Sequence, residues 1–391
     1  MRYIFSSVDL LPVTNSSFPY IYKQLSKMSF WSSIWLWIRY QVNVIIHCGF
    51  PCFFWVQPTW SIDKIEDQEG KVVLITGGNS GTGYATALAL YNAGATVYIA
   101  CRDLRRAKEA AEDIKKGGER GVWGVTYPSK ELDKAGGNKK GRVEIIQLDL
   151  TDLASVEKCA EEFLNKEKKL DLLFANAGIM ATQEGQYTKQ GYTLQFGTNV
   201  LGHHRLITLL LPLLLSSPPS LPSRVILTSS AGHSMAPKGG VNFKSVVRDP
   251  SDTRSGRGKY ELDKWIEYGQ SKWGNIALAK YLEDTYGKEG RLISVAVHPG
   301  VVATNLANHL PFVEIFYRWF PWLRHLFSRD PSTGALNQLY AATLPLPDAW
   351  SLNGEYVVPY NTVGICRPDL WDKKRVEEVW NWCDEQGKKF A

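Results

Sequence analysis

Cysteine is scarce, with six in 391 residues. That excludes a disulfide-built scaffold and makes free thiols in a reducing compartment the default. Only Cys48 and Cys52 lie close together. They lack the second pair a zinc site needs, so no metal is expected. An excess of one charge is also lacking. Lys and Arg number 45 against 39 for Asp and Glu, a net of +6. A dedicated nucleic-acid binder concentrates its basic residues on one face, and this mild excess does not argue for such a partner. With 44% hydrophobic and 21% charged residues, the chain is neither disordered nor collagen-like. Its length suits one large α/β domain with an appended segment.

Charge is nearly absent from one stretch. Between Phe30 and Trp60 the only formally charged side chain is Arg39, and Trp31, Trp35, Trp37, Trp55 and Trp60 crowd the same region. Residues 34–56 as a helix would reach roughly 35 Å, enough to cross a bilayer core. Aromatic residues at its ends suit the headgroup level. Against a simple span, Arg39, Asn43 and His47 form a polar stripe at helical spacing, and Gly49 and Pro51 bend or break the end. An interfacial helix or shallow hairpin is the alternative, and a buried arm of the domain is the plainer one. Residues 1–62 are therefore expected to be a leader and membrane-associating segment, and residues 63–391 a catalytic domain. Residues 1–27 are Ser-rich and poor in acids, as in a mitochondrial leader, while Met28 offers a second start.

The body opens on KVVLI (71–75), an apolar β-branched run that reads as a buried parallel strand. TGGNSGTG follows, with Gly77, Gly81 and Gly83 as G-x-x-x-G-x-G. An Ala- and Leu-rich helix comes next, ended by Gly94, then a strand at 95–100. In a βαβ unit such glycines let the backbone approach a pyrophosphate at the helix N-terminus. Further strands are expected at 143–150, 170–178, 224–232, 292–300 and 354–359. Helices separate them, as a doubly wound parallel sheet requires, with ligands at the C-terminal strand ends. Residues 117–142 and 235–262 read as surface excursions.

Several motifs then stand in one order. They are TGGNSGTG, Asp149, the Asn176-Ala177-Gly178 triplet, Asn199, Ser230, Tyr268 with Lys272, and Pro299-Gly300 with Thr304. Together they resemble the short-chain dehydrogenase/reductase family over about residues 70–385. YGQSKWGN, HPGVVATNL and the 38-residue interval from Ser230 to Tyr268 resemble its retinol-dehydrogenase-like branch and fungal relatives. The resemblance implies a Rossmann-type fold and a catalytic tetrad of Asn199, Ser230, Tyr268 and Lys272. It implies cofactor contacts from Gly77, Asn79, Ser80, Gly81, Gly83, Asp149, Asn176, Ala177, Gly178, Pro299, Gly300 and Thr304, besides Tyr268 and Lys272. Asn199 would hold a water that links Lys272 to solvent.

The residues support that chemistry. Tyr268 and Lys272 share a helix face one turn apart. A free Tyr, with a pKa near ~10, is a poor base at neutral pH. A neighbouring ammonium and a cationic nicotinamide would lower that pKa and let Tyr268 exchange a proton with a carbonyl or alcohol oxygen. Ser230 would donate to the same oxygen. The second strand ends Ala100, Cys101, Arg102, with a neutral residue where NAD enzymes carry an acid and a guanidinium that can pair with a 2′-phosphate. NADP(H) is favoured over NAD(H), and Asp103 is the counterargument should the strand end one residue later. Residues 310–329 carry an aromatic, basic-edged face; the resemblance implies that it covers a lipophilic substrate, which also fits a membrane surface, and ordinary core packing is the alternative. The expected protein is a membrane-associated oxidoreductase acting on a lipophilic aldehyde or ketone and its alcohol. Its catalytic domain would be cytosolic, at the endoplasmic reticulum or lipid droplets, with a mitochondrial site left open. The alternative is a catalytically silent NADP(H)-binding sensor or membrane scaffold.

Overall fold

The run VVLIT is buried at every position, and apolar from Val72 to Ile75, because both of its faces are covered. Val72 and Leu74 pack into one apolar cluster, and Val73 and Ile75 into another on the opposite side. The computed structural model describes residues 58–118, 132–137, 139–183, 185–248, 263–302 and 329–390. Within them the strands are β1 (Val72–Thr76), β2 (Thr96–Cys101), β3 (Arg142–Gln147), β4 (Leu172–Ala175), β5 (Ser223–Thr228), β6 (Leu292–Val297), β7 (Tyr356–Val358) and β8 (Thr362–Val363). They form one sheet in the order β3-β2-β1-β4-β5-β6-β7-β8, parallel except for the last pair. The chain winds from β1 out to β3, then returns to place β4 on the other side of β1. Val73 pairs with Leu172 and Ile75 with Phe174 there. That reversal opens a crevice at the C-terminal ends of β1 and β4, where open α/β sheets bind ligands.

Seven helices matter here: α1 (Gly81–Asn92), α2 (Leu104–Lys115), α3 (Leu153–Lys166), α4 (Gly202–Leu214), α5 (Asp263–Leu282), α6 (Pro331–Thr343) and α7 (Lys373–Lys388). Buried side chains of α1, α2 and α6 fill one face of the sheet, and those of α3, α4, α5 and α7 the other. α1 stops at Asn92, just before Gly94, whose φ of +97° favours glycine. The strands expected after 100 are present but shorter, while β2 ends at Cys101, one residue later than expected, and Asp103 then caps α2. The Asn176-Ala177-Gly178, Ser229–Gly232 and His298–Gly300 stretches lie beyond the strand ends, in the loops over the crevice.

Two excursions are less exposed than expected. Leu132 and Ala135 are fully buried against α1's side of the sheet, because their apolar side chains have a face to cover. Val246 is fully buried, and its carbonyl accepts from Thr193 N–H at 2.8 Å. Trp60 and Ile62, on the leader side of the expected boundary, are buried too. Trp60 stacks edge-on against Tyr340 of α6, with ring centroids 5.9 Å apart. The apolar segment 34–56, Cys48 and Cys52 lie outside the described residues. Among the described residues no helix is long and apolar enough to cross a membrane.

Candidate active site

The crevice begins at the turn after β1. Gly77 has φ +66°, a left-handed conformation, and a Cβ there would stand 3.1 Å from Ala177 Cβ. Gly83 is more constrained still. A Cβ there would lie 2.5 Å from Asn176 Nδ2 and 2.6 Å from the Gly77 carbonyl oxygen. Asn176 fastens the turn to β4. Its Nδ2 donates to the Thr76 carbonyl (2.9 Å), its backbone N–H to Thr76 Oγ1 (3.0 Å), and its Oδ1 accepts from the Thr82 hydroxyl (2.9 Å). The turn then enters α1 with Ser80 extended and not capping with its side chain. Ser80, Gly81 and Thr82 line the crevice, at the positive end of the helix dipole.

The crevice has two lobes that share Gly77, Ser80 and Ala177-Gly178-Ile179. The smaller, about 280 Å³, is lined by Cys101, Arg102, Asp103, Arg106 and Asp149. Asp149 Oδ1 accepts from the backbone N–H and hydroxyl of Thr151 (2.9 and 2.7 Å). Asp103 caps α2, accepting from the N–H groups of Arg105 and Arg106 (3.0 and 3.1 Å). Those bonds hold its carboxyl below the usual range. Arg102 is exposed and makes no ion pair among the described residues.

The larger lobe, about 440 Å³, gathers Ser230, Tyr268, Lys272, Pro299 and Gly300 beside the glycine turn. Tyr268 and Lys272 are 4% and 3% exposed on α5, so both are almost wholly desolvated. Lys272 Nζ donates to the Thr228 carbonyl at 3.0 Å and stands 5.6 Å from the Tyr268 ring centroid. The Ser230 hydroxyl accepts from Gly232 N–H at 3.1 Å and lines the same lobe as the Tyr268 phenol. Asn199 is fully buried in a wider, π-type turn (Gly197–Leu201) ahead of α4. Its Oδ1 accepts from Ile179 N–H (2.9 Å), and its Nδ2 donates to the Ile179 carbonyl (3.0 Å) and to Ser271 Oγ (2.9 Å). Asn199 Oδ1 and Lys272 Nζ each lie 3.3 Å from where a Cβ on Gly178 would stand. Glycine is what lets the two approach.

In the chain without its cofactor, burial governs both ionisable groups. Burial pushes the Tyr268 phenol up to about 12, and Ser230 offsets only part of that. Burial pushes Lys272 down to about 8. The ammonium faces the phenol's ring and bonds to Thr228, so it does not overcome the loss of solvent.

Of the residues expected from sequence, the glycine turn, Asp149, the Asn176–Gly178 loop, Ser230, Tyr268, Lys272, Pro299 and Gly300 converge on the crevice, with Asn79 in the smaller lobe. Asn199 sits just behind, through Ile179. Thr304 and the face at 310–328 lie outside the described residues. Sequence reading missed Thr228, Ile179 and Ser271. The first two act through backbone groups, which leave no side-chain signal, and Ser271 sits unremarked inside the Tyr-x-x-x-Lys interval. His298, 3% exposed on the same lobe, was also missed.

A short chain dehydrogenase family model matches residues 71–128 and 127–244. A short-chain dehydrogenase/reductase of Armillaria gallica is 38% identical over 336 residues, covering 85% of this chain and 96% of its own. The chain belongs to the short-chain dehydrogenase/reductase family. It is an NAD(P)-dependent oxidoreductase, as its relatives and the assembled crevice require. Retinol dehydrogenase 14 of Mus musculus is 34% identical over 322 residues, covering 80% of this short-chain dehydrogenase/reductase and 84% of its own chain. Among solved structures, an uncharacterized protein from Mycobacterium Paratuberculosis superposes with a TM-score of 0.59 at 28% identity, over 84% of this chain and 97% of that one. The Pseudomonas aeruginosa RhlG/NADP active-site complex shares the fold, with a TM-score of 0.51 at 20% identity over 75% and 95%.

Proposed function

We propose that this enzyme interconverts a lipophilic aldehyde or ketone and its alcohol with NADP(H), using Tyr268 as general acid and base. The observation that carries the reading is the larger lobe itself. It brings a buried phenol, a hydroxyl and a buried amine to one wall, beside a glycine turn that admits no Cβ at Gly83. A dinucleotide fits the chain's own residues. The two joined lobes, the start of α1 and the left-handed Gly77 make a cradle for a pyrophosphate between two nucleoside sites.

When bound, a nicotinamide cofactor would supply or accept the hydride. The chain's task is the proton. With its phenol near 12, Tyr268 is protonated at neutral pH and placed to donate to a carbonyl oxygen as that oxygen gains negative charge. Ser230 donates a second hydrogen bond to the same oxygen. Lys272, near 8, titrates close to neutrality and suits a group that resupplies the phenol. Asn199 holds the Ile179 loop and has a lone pair on Oδ1 to spare for a water near Lys272. In the alcohol-oxidising direction the same groups run in reverse.

NADP(H) is favoured because Arg102 lies on the smaller lobe without a carboxylate partner among the described residues, while Asp103 caps α2. A lipophilic substrate is favoured because Ile179, Met180, Val301 and Val302 line the larger lobe, and Val301 remains 44% exposed. Together with the similarity to a retinol dehydrogenase, this favours a retinoid, steroid or fatty aldehyde. Attachment to a membrane surface is assigned to the apolar segment 34–56, on its composition alone. A silent sensor has no observation in its favour over an enzyme. The test is a panel of aldehydes and ketones with NADPH and NADH side by side. Turnover of long-chain or polyene aldehydes with NADPH supports the reading; turnover confined to small polar carbonyls, or to NADH, overturns it.

A further inference from the structure

We infer that His203 is a positioning residue that ties the cofactor-binding turn to the Asn199 end of the proton pocket, a role that rests on the activity proposed above. His203 is fully buried near the start of α4. Its Nδ1 lies 3.0 Å from the Asn199 carbonyl oxygen, and its Nε2 lies 2.8 Å from Thr76 Oγ1. One imidazole thus bridges the π-type turn that carries Asn199 and the last residue of β1, next to Gly77.

Donor and acceptor counting gives the bridge a direction. A carbonyl oxygen only accepts, so Nδ1 carries the proton. In the neutral ring Nε2 is then an acceptor, and Thr76 must supply the hydrogen. Thr76 Oγ1 already accepts from the backbone N–H groups of Asn176 (3.0 Å) and Ala177 (2.9 Å), which fills both lone pairs. Its single proton has two acceptors in reach, Nε2 at 2.8 Å and the Phe174 carbonyl at 3.2 Å, and the nearer is the imidazole. The resulting series runs from the Asn176–Ala177 amides through the Thr76 hydroxyl and His203 to the Asn199 carbonyl. Burial favours the neutral ring this needs, holding His203 at about 4.

Both ends of this series touch the crevice. Thr76, Asn176 and Ala177 set the glycine turn, and Thr76 and Ala177 also line the smaller lobe. Asn199 grips Ile179 and Ser271 beside Lys272. The two ends should therefore be separable by side chains that keep one bond each. At position 203 an Asn places an amide donor where Nδ1 stands, and a Gln reaches to where Nε2 stands.

The test measures NADPH affinity by fluorescence, and kcat with the best aldehyde from the panel, for wild type, His203→Leu, His203→Asn and His203→Gln. Leaving a buried partner unsatisfied weakens what it supports by roughly 5- to 100-fold. His203→Leu should show about that loss in both NADPH affinity and kcat. His203→Asn should keep kcat near wild type with weakened NADPH binding, and His203→Gln should do the opposite. Folded His203→Leu with wild-type affinity and kcat, or equal losses in the Asn and Gln variants, would overturn the inference. Should the variants fail to fold, ¹⁵N NMR of wild-type protein labelled at histidine reads the bridge directly. A neutral His203 with its proton on Nδ1 at pH 7 is expected, and a proton on Nε2 overturns the bridge. Affinity and tautomer are read without turnover. A wild-type enzyme inactive on every carbonyl would therefore count against the proposed reaction, while those two measurements would still decide the role of His203.

Discussion

Arg102→Ala removes an exposed guanidinium at the end of β2, where the smaller lobe of the crevice begins. The side chain makes no ion pair among the described residues and follows the last strand residue, so its loss leaves no buried group unsatisfied and stability should change little. Its energetic role should appear only when a 2′-phosphate is present. A hydrogen bond to a charged group contributes roughly 1.5–3 kcal/mol, or about 10- to 150-fold in affinity. NADPH should weaken by that factor and NADH should be nearly unchanged. Arg106 lines the same lobe, so the loss should fall toward the lower end of the range. Its guanidinium also leans on Asp103, with Nε 3.6 Å from Oδ2. Adding Cys101→Asp should move the preference to NADH, since the new carboxylate repels a phosphate and can bind ribose hydroxyls. The assay is the Michaelis constant for each cofactor, at fixed ionic strength, in wild type and both variants. Equal loss for NADPH and NADH in the single variant would refute the reasoning and make Arg102 structural. A wild type that prefers NADH would show that Asp103 leaves its cap to reach the ribose.

Two further outcomes follow from burial. His203 and His233 are held at about 4, and His204 and His298 at about 3, all by desolvation below an ordinary 6.5. The unfolded chain then binds more protons than the folded one, so stability is full above about pH 6.5 and is lost as pH falls toward 4. Each ring adds a slope of up to about 1.4 kcal/mol per pH unit. Urea midpoints should drop steadily from pH 7 to 5, and a flat profile would mean that these rings stay accessible to protons in the fold. The second outcome concerns the N-terminal segment. Removing residues 1–57 should leave a folded, active enzyme that no longer binds lipid vesicles, whereas a cut after residue 62 also removes Trp60 and Ile62 from the core. Loss of a buried Trp costs about 3–5 kcal/mol, so the shorter chain should melt earlier. Equal stability of the two would contradict the packing on Tyr340, and vesicle binding by the 58–391 chain would contradict the assignment of membrane contact.

Much of this was legible in the chain because parallel strands buried on both faces are written as continuous apolar runs. The apolar cores of KVVLI (71–75) and of the run at 224–232 could be little else, and the Gly, Asn and Ser clusters after them marked the ligand side of the sheet. The strand ends expected at 150, 178, 232 and 300 overran by three or four residues, since the chain continues into loops that lie over the crevice. β8 was missed because two residues carry no period. Tyr268 and Lys272 were found by spacing, while the burial that pushes the phenol up and the amine down was not legible there. Spacing says which groups meet and not how much water remains between them. His203 escaped notice because nothing in Gly-His-His-Arg says that one ring faces Thr76 and the other packs against Trp380, with centroids 4.4 Å apart. That distinction comes from where α4 lies on the sheet.

The central claim is that Tyr268 moves the proton. Tyr268→Phe keeps the ring, its place on α5 and its packing against Gly232 and Trp265, and removes only the hydroxyl. Turnover of the best carbonyl substrate with saturating NADPH should fall by at least ~10²-fold, while the affinity for NADPH stays within a few-fold of wild type. Near-normal turnover by the folded Phe variant would contradict the account.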